Sequence, residues 1–270
     1  MIAFNGQYLP AASHGNMRIT AACLGGQLMM SWLKTATQQA IIAAFGAEEG
    51  IEVILETNDY LNALALTDPT RAQQLAMFVN EDPLLVTSLV ETSKTRWLRW
   101  NSGTWVRTGV PYSQSIETDV VAMPDAFGTL QLIAREGGGY SSYQFSFYNG
   151  GYSASTGGSY DKTNLGFVGG NVYDIRYNAE GNNVIVNGVT YGVTKTLSGT
   201  QSIVFGTRSG GNWYVGYFGV AKIINKDTGE LLRWYAPFIR NGEAILLNLL
   251  DGTPAEVVIG SFTIQITDKQ

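Results

Sequence analysis

The chain has 270 residues and a formal net charge of −5; 14% of its residues are charged, 11% are aromatic and 32 are glycine. This composition is typical of a turn-rich β protein with an aromatic core, and it excludes intrinsic disorder, because a disordered chain carries more charge and fewer aromatic side chains. The acidic balance and the lack of a basic run exclude nucleic acids and anionic membranes as expected partners.

The first region, residues 1–50, is predicted to contain a hairpin and a helix. Two short apolar strands flank the Asn5-Gly6 pair, which favours a type I′ turn. From Trp32 onward, apolar or small residues recur every three or four positions, and Gly46 supplies a stop. The uncharged stretch 19–33 is too short and too rich in glycine to span a membrane, so we expect neither a membrane span nor a secretory signal.

The second region, residues 51–96, is predicted to start with a strand at 51–55. It continues as three short helices, at 61–66, 71–79 and 84–90. Pro69 and Pro83 suit first helical turns, with Asp68 and Asp82 as N-caps. These pieces are either ordinary helix-turn-helix elements or a repeat that resembles the short-helix repeats in the shafts of tailed-phage appendage proteins.

The predicted helices of the second region need a partner surface. Each has about two turns, whereas an isolated helix in water needs about 12–15 residues to be stable. Their apolar side chains exceed what one thin layer can cover, and an exposed apolar patch usually marks an interface. We therefore expect self-association through residues 1–96; the resemblance to fibre-type appendages implies a homotrimer.

The third region, from residue 97 to the end, changes to strand patterns. Tyr143, Phe145 and Phe147 alternate with polar residues, as in a half-buried strand, and Asn187-Gly188 predicts a hairpin turn. Further strands are predicted at 116–121, 129–134, 202–205, 214–224, 231–235 and 262–266. Many short strands with glycine-rich turns and no helices between them indicate an antiparallel sandwich or barrel.

Several motifs of this region occur in the order seen in one known fold family. They are the segments 105–110 and 116–120, the hairpin 186–188, the segment 204–206 and the closing segments 221–237 and 241–252. In this order they resemble the concanavalin A-like, or laminin G-like, jelly rolls. The resemblance covers about residues 97–270 and implies a mainly β fold, with a C-terminal two-sheet antiparallel jelly-roll sandwich behind a smaller α+β region of short helices. The regions 1–50 and 51–96 would then form an anchor and a shaft.

The same fold also houses β-glucanases, so an enzymatic function has to be tested on residues. Their catalytic strand carries a nucleophile Glu, an Asp two residues later and an acid/base Glu after that. Glu117 and Asp119 match the first two positions, but Val121 and Ala122 stand where the second catalytic carboxylate belongs. Because retaining hydrolysis needs two opposed carboxyl groups, we expect no enzyme. Glu117 and Asp119 are interpreted as a solvent-facing strand edge.

Metals and cofactors have little support in the sequence. One cysteine, Cys23, and one histidine, His14, leave no disulfide and no multi-histidine metal site. A calcium site stays open, since modules of this kind often use calcium, although the turn at Asp227 and the other scattered acids lack a dedicated loop. Gly137-Gly138-Gly139 is interpreted as a hairpin loop and not as a phosphate cradle. We therefore predict no cofactor and no metal.

Three loops carry the residue types that hold sugars, namely aromatic rings that stack on a sugar face and amides that bind hydroxyls. They are the loops 149–152, 159–161 and 208–214. The candidate carbohydrate-binding residues are Tyr152, Tyr160, Asn212 and Trp213. Each aromatic could equally serve core or rim packing.

These observations favour a non-enzymatic structural and adhesive component of a phage particle. Its N-terminal part would bind other virion proteins, and its C-terminal sandwich would bind a host surface glycan or receptor from the virion surface. The alternatives are a bacterial surface or secreted glycan-binding protein, or a polysaccharide hydrolase with an unconventional acid.

Overall fold

The structure is a computed structural model that describes residues 32–126, 130–137, 143–155, 159–192, 199–206 and 213–269, together with the backbone of four short strands before residue 31. For residues 155 and 159–162 it describes the backbone alone. The chain divides into two compact units: Met1–Thr95 with Asp268–Gln270, and Arg96–Thr267.

In its described residues, the first unit contains two small hairpins and three α-helices. The hairpins pair β1 with β2 and β3 with β4, and a 3₁₀ helix follows the third α-helix. The bounds are β1 Ala3–Phe4, β2 Gln7–Tyr8, β3 Ala21–Leu24, β4 Gln27–Met30, α1 Thr35–Phe45, α2 Ala47–Ala65, α3 Pro69–Glu81 and the 3₁₀ helix Pro83–Ser88. Among the described residues, no helix combines the length and the hydropathy needed to cross a bilayer.

Several predicted signals of the first unit are confirmed. The first two strands pair in antiparallel register around positions 5 and 6. Gly46 ends α1 with a left-handed φ of 90°. Pro69 begins α3, and the side chain of Asp68 caps that helix by accepting a hydrogen bond of 2.9 Å from the backbone N–H of Arg71.

The predicted strand at 51–55 is wrong, because these residues lie inside helix α2. The run Ile-Glu-Val-Ile-Leu resembles a strand by itself, but the buried positions along α2 follow the helical repeat. They are Gly50, Val53, Ile54, Thr57, Asn58 and Leu61. The predicted helix at 61–66 is therefore the end of a helix of 19 residues, and the boundary drawn between residues 50 and 51 falls within it.

The helices of the first unit also bury several of the apolar side chains that were expected to need a partner. Leu75, Phe78, Val79 and Leu85 have at most 7% of their surface exposed. α2 has 19 residues and α3 has 13, so the premise of two-turn helices is wrong for the first two predicted helices, whereas the third, at 84–90, is the six-residue 3₁₀ helix. Leu66 is exposed over 88% of its surface and Met77 over 64%. Self-association stays a prediction that these two side chains still motivate.

The second unit is a sandwich of two antiparallel sheets, as predicted. The bounds of its strands are β5 Lys94–Trp100, β6 Trp105–Pro111, β7 Ile116–Pro124, β8 Leu130–Arg135, β9 Gln144–Tyr148, β10 Gly151–Ser155, β11 Ser159–Lys162, β12 Tyr173–Ala179, β13 Asn183–Val186, β14 Val189–Gly192, β15 Ser202–Phe205, β16 Gly216–Asn225, β17 Glu230–Arg240, β18 Glu243–Asn248, β19 Glu256–Ile259 and β20 Phe262–Asp268. Within the described residues, one sheet has seven strands in the order β11-β10-β9-β8-β15-β6-β19. The other has nine, with β14-β13-β12-β7-β16-β17-β18 as its main path; β5 also pairs with β16, and β20 pairs with β5.

Aromatic rings from both sheets fill the space between them. Phe205 on β15 lies 5.1 Å from Phe218 on β16, measured between ring centroids, and Phe147 on β9 lies 5.3 Å from Tyr173 on β12. All four rings have at most 3% of their surface exposed. These contacts join a strand of the seven-stranded sheet to a strand of the nine-stranded sheet, so the predicted aromatic core is the layer between the sheets.

The strand alternation around Phe145 is confirmed, but the strand is not half-buried. β9 turns Phe145 and Phe147 into the core, and Gln144 and Ser146 on its other face are also buried, with 6% and 0% of their surface exposed. The amide of Gln144 donates to the hydroxyl of Ser146 over 3.0 Å. Asn187-Gly188 turns β13 into β14 with φ values of 49° and 77°, as the hairpin prediction required.

Candidate functional site

Strand β7 carries an acidic pair on the face that points away from the core. Ile116 and Val120 belong to the core, and because successive side chains of a strand alternate between faces, Glu117 and Asp119 lie on the outer face of the nine-stranded sheet. β7 lies between β12 and β16 in the middle of that sheet. The interpretation of Glu117 and Asp119 as a solvent-facing strand edge is therefore wrong: the strand is central, and Glu117 is 4% exposed.

Arg176 interacts with both acids of the pair. It lies on the neighbouring strand β12, directly opposite Asp119. Its Nε and Nη2 atoms donate to Oε1 of Glu117 over 2.8 and 2.6 Å. The same Nε lies 3.8 Å from Oδ1 of Asp119. One guanidinium thus serves two carboxyl groups, and it is hydrogen-bonded to the more buried of them.

This arrangement changes the acidity of Asp119. Burial, the negative charge of Glu117 and a hydrogen bond with Glu117 raise the pKa of Asp119 to about 7, against the opposing attraction of Arg176. At neutral pH the carboxyl group of Asp119 is therefore close to half-protonated. The outer face of β7 carries a charge that changes within the physiological pH range.

A row of charged and aromatic side chains crosses the sheet at the level of Asp119. Arg176 flanks Asp119 on one side and Lys222 of β16 flanks it on the other. Trp234 of β17 lies opposite Lys222, whose Nζ is 5.6 Å from the centre of its ring. Opposite charges at directly paired positions stabilise a sheet by about 0.2–1 kcal/mol each, so this row reinforces the strand order as well as shaping the surface.

Lys226, in the turn after β16, fixes the segment that follows β12. Its ammonium group donates to the backbone carbonyl of Asn178 and to the side-chain carbonyl of Asn182, each over 3.0 Å. Asn178 in turn donates from Nδ2 to the carbonyl of Ile116 over 2.6 Å. Burial lowers the pKa of Lys226. These contacts give the turn a defined position beside the acidic pair.

Glu117 of the acidic pair lines a groove of about 460 Å³, which we call the charged groove, and Asp119 lies beside it. The groove is lined by Glu117, Arg176, Glu180, Gly181, Ile224, Lys226, Asp227 and Gly229. Carboxylate oxygens accept hydrogen bonds, guanidinium and ammonium groups donate them, and all are mounted on strands or tight turns. Such a surface suits a small polar molecule rich in hydroxyl groups.

The two predicted sugar-binding residues whose side chains the structure describes, Tyr152 and Trp213, do not meet at one place. Tyr152 is fully buried in the core, where its ring stacks on Phe145 at 5.5 Å and meets the edge of Tyr191. This position favours the packing alternative that was open for each aromatic. Tyr160 lies on β11, but its side chain is outside the described residues, and Asn212 lies outside them entirely. The same holds for His14, Gly138 and Gly139.

Trp213 lies on the outer face of the seven-stranded sheet. It is half-buried against a small apolar cluster formed by Trp105, Ala134 and Val204. Its backbone pairs with Gln131 of β8. Tyr152 and Trp213 therefore belong to the two opposite faces of one sheet and cannot contact the same sugar ring.

Three side chains of the charged groove were missed by the sequence analysis: Arg176, Glu180 and Lys226. The alternation of Tyr173, Ile175 and Tyr177 places Arg176 on an outer face, and this signal was visible in the sequence. The pairing of β12 with β7 was not visible in the sequence, because the strands are about 50 residues apart and no residue of either strand indicates which strand lies next to it.

The described part of the chain contains no arrangement of acidic side chains that supports a metal site. No group of three or more His, Cys, Asp or Glu side chains is placed there so that it could hold a metal ion. Asp227, the acid considered for calcium, lies in the turn after β16, and its side chain accepts a hydrogen bond from the hydroxyl of Ser115.

Comparisons with known proteins give no family. No protein-family model and no curated protein matches the chain. Among solved structures, the chain is similar to a crystal structure from Bacteroides ovatus that is provisionally named a carbohydrate-binding protein, with a TM-score of 0.46 and 12% identity over 65% of this chain. The aligned part spans 60% of that protein's length. The function therefore has to be argued from the charged groove itself.

Proposed function

We propose that the second unit is a non-enzymatic glycan-binding module and that the charged groove is its binding site. The observation that carries this proposal is the combination of an open groove of about 460 Å³ with donors and acceptors fixed on neighbouring strands and turns. Sugar hydroxyls donate to carboxylates and accept from guanidinium groups, so one sugar unit can use both kinds of group at once.

The acidic pair is better suited to binding than to hydrolysis. Retaining and inverting glycosidases place two carboxyl groups on opposite sides of the scissile bond, about 5–9.5 Å apart. Glu117 and Asp119 are two residues apart on the same face of one strand, and Oε1 of Glu117 accepts twice from Arg176. Neither group is placed to face the other across a sugar.

Binding should depend on groove carboxylates outside the acidic pair. Glu180→Gln should weaken the affinity for a bound glycan by about three- to tenfold, because an amide is a weaker hydrogen-bond acceptor than a carboxylate. The measurement is a glycan-array screen followed by calorimetric titration of the best oligosaccharide. Glu230→Gln is the matched control, because Glu230 is an exposed acid at the start of β17 that does not line the groove. Equal affinity for wild type and both variants would place the binding site elsewhere.

Hydrolysis should be absent. Incubation of the purified protein with β-glucans should release no reducing ends above a buffer blank, because the second catalytic carboxylate is missing from positions 121 and 122. Measurable release that Glu117→Gln abolishes would show that the protein is a hydrolase after all.

We also propose that the protein is displayed on a phage particle and assembles through its first unit. The resemblance of residues 97–270 to concanavalin A-like jelly rolls, which are often carried on phage fibres, supports this proposal, with a bacterial surface or secreted glycan-binding protein as the alternative. Phage structural genes beside the coding sequence would favour the particle, and glycan transporter genes would favour the alternative.

The full-length chain should self-associate as a homotrimer. Light scattering coupled to size exclusion should give about three times the chain mass of 29.3 kDa. Changing Leu66 and Met77 together to Glu should yield a monomer, because both apolar side chains are exposed in the single chain. Gln73→Glu, an exposed change on α3, is the control. A wild-type monomer at micromolar concentration would reject the assembly, whereas another stoichiometry would reject only the trimer.

A further inference from the structure

The charge of the groove depends on one side chain beneath it. Three carboxylates line the groove, those of Glu117, Glu180 and Asp227, against the two cations Arg176 and Lys226. The lining therefore carries a net charge of −1 when these groups are ionised. Asp119 lies next to this lining, two residues from Glu117 and opposite Arg176, so its ionisation adds a second negative charge.

The neighbours of Asp119 do not fix it in one charge state. On its own strand it faces Glu117, from β12 it faces Arg176 and Asp174, and from β16 it faces Lys222. Arg176 is hydrogen-bonded to Glu117 and only 3.8 Å from Asp119. The ammonium group of Lys222 lies 5.6 Å from the centre of the Trp234 ring. Neither cation is therefore committed to Asp119, and its proton can be lost without breaking a close ion pair.

Resting on the glycan site proposed above, we propose that the charged groove selects glycans that carry amino groups over glycans that carry carboxylates, and that Asp119 strengthens this selection when it loses its proton. A bound ammonium group would be attracted to a lining of net negative charge, and a bound carboxylate would be repelled by it. Asp119 acts through the charge that it adds beneath the groove and has no contact with the sugar.

The expected size of the effect follows from Coulomb's law. The pKa of Asp119 is raised to about 7, so most of the change in charge occurs between about pH 6 and pH 8. One added unit charge about 7 Å from a bound ammonium, partly screened by water, changes the affinity by about three- to tenfold.

The experiment uses three charge forms of one sugar. Methyl, 2-aminoethyl and carboxymethyl glycosides of cellotriose and of maltotriose are titrated calorimetrically into the full-length protein at pH 5.5, 6.5, 7.5 and 8.5. The amine stays protonated and the carboxylate stays ionised over this range. The aminoethyl form should bind more tightly than the carboxymethyl form, and its affinity should rise about three- to tenfold from pH 5.5 to pH 8.5.

Two variants test whether the pH dependence of binding comes from Asp119 or from another acid on the surface. In Asp119→Asn the affinity for the aminoethyl form should be constant across this pH range, whereas Glu230→Gln, an exposed change outside the groove, should keep the wild-type dependence. Circular dichroism at each pH verifies that both variants are folded.

The possible failures are distinguishable. If the methyl form binds but the added charge makes no difference, or if Asp119→Asn keeps the full pH dependence, the inference is overturned and the proposed function survives. If none of the three forms of either sugar binds at any pH, both are rejected.

Discussion

Asp119→Asn should stabilise the protein at pH 8 by about 1–3 kcal/mol and should remove most of the fall in stability that wild type shows between pH 4 and pH 7. The folded protein holds a proton on Asp119 up to about pH 7, whereas the unfolded chain loses it near the ordinary value of 3.8. Between these values the folded state binds more protons, so the free energy of unfolding falls as the pH rises. The stabilising contribution is complete below pH 3.8 and has been lost above pH 7.

The magnitude follows from the same linkage. One pKa unit corresponds to about 1.4 kcal/mol, so a shift of about three units gives an upper value near 4 kcal/mol. The side chain of Asp119 is 24% exposed, and its partial contact with water reduces this value. Asparagine has nearly the same shape and cannot ionise, so the cost of charging this buried position disappears.

Urea unfolding at pH 4.5, 6, 7 and 8, followed by tryptophan fluorescence, measures this effect. The difference between variant and wild type should grow with pH up to about pH 7 and stay level above it. Asp174→Asn, a carboxylate removed from the exposed part of the same face, should shift the curve by less than about 0.5 kcal/mol at every pH. Parallel curves for Asp119→Asn and wild type would show that Asp119 is already ionised at pH 4.5.

Local signals in the sequence predicted local structure well. Gly46 at the end of α1, the Asp68-Pro69 cap of α3 and the Asn187-Gly188 hairpin are all decided by residues within a few positions of the turn or cap. Backbone conformations with positive φ and unpaired helix N–H groups leave few residue types to choose from. Such positions can therefore be identified without knowledge of the rest of the fold.

The error at 51–55 shows where local reasoning fails. Five residues that are mostly apolar and β-branched have the same appearance in a strand and on the buried side of a helix. The buried positions Val53, Thr57 and Leu61 recur at four-residue spacing and indicate a helix, but two of them lie beyond the five-residue window. A window of about twelve residues would have predicted α2.

The charged groove could be predicted only in part, because it depends on strand order. Glu117 and Asp119 were identified by their spacing on one strand, and the alternation of Tyr173, Ile175 and Tyr177 contained the signal that Arg176 faces outward. What the sequence does not contain is that β12 and β16 flank β7, so that Arg176 and Lys222 lie on either side of Asp119. Because of this long-range pairing, the acidic pair lies at the centre of a sheet and not at the exposed edge that was predicted.

Arg176→Met should destabilise the protein by about 2–4 kcal/mol at pH 8. The side chain of Glu117 is only 5% exposed, and its Oε1 accepts two hydrogen bonds from Arg176. Without the guanidinium, a nearly buried carboxylate is left without its ion-pair partner, which is far more costly than the loss of a surface salt bridge. Lys222→Met, which removes an exposed cation from the same row, should cost less than about 1 kcal/mol.

A double-mutant cycle distinguishes this cost from lost packing of the arginine side chain. If the unpaired charge is responsible, Glu117→Gln should recover most of the stability in the Arg176→Met background, because a neutral amide no longer needs the guanidinium. The destabilisation by Arg176→Met alone should also be smaller at pH 5 than at pH 8, because Asp119 holds its proton at pH 5 and the site without the guanidinium then carries one negative charge fewer. Urea unfolding of the four proteins at both pH values gives the coupling energy. A coupling energy near zero at pH 8 would mean that Arg176 stabilises the sheet through its alkyl chain, and that Glu117 tolerates burial without an ion-pair partner.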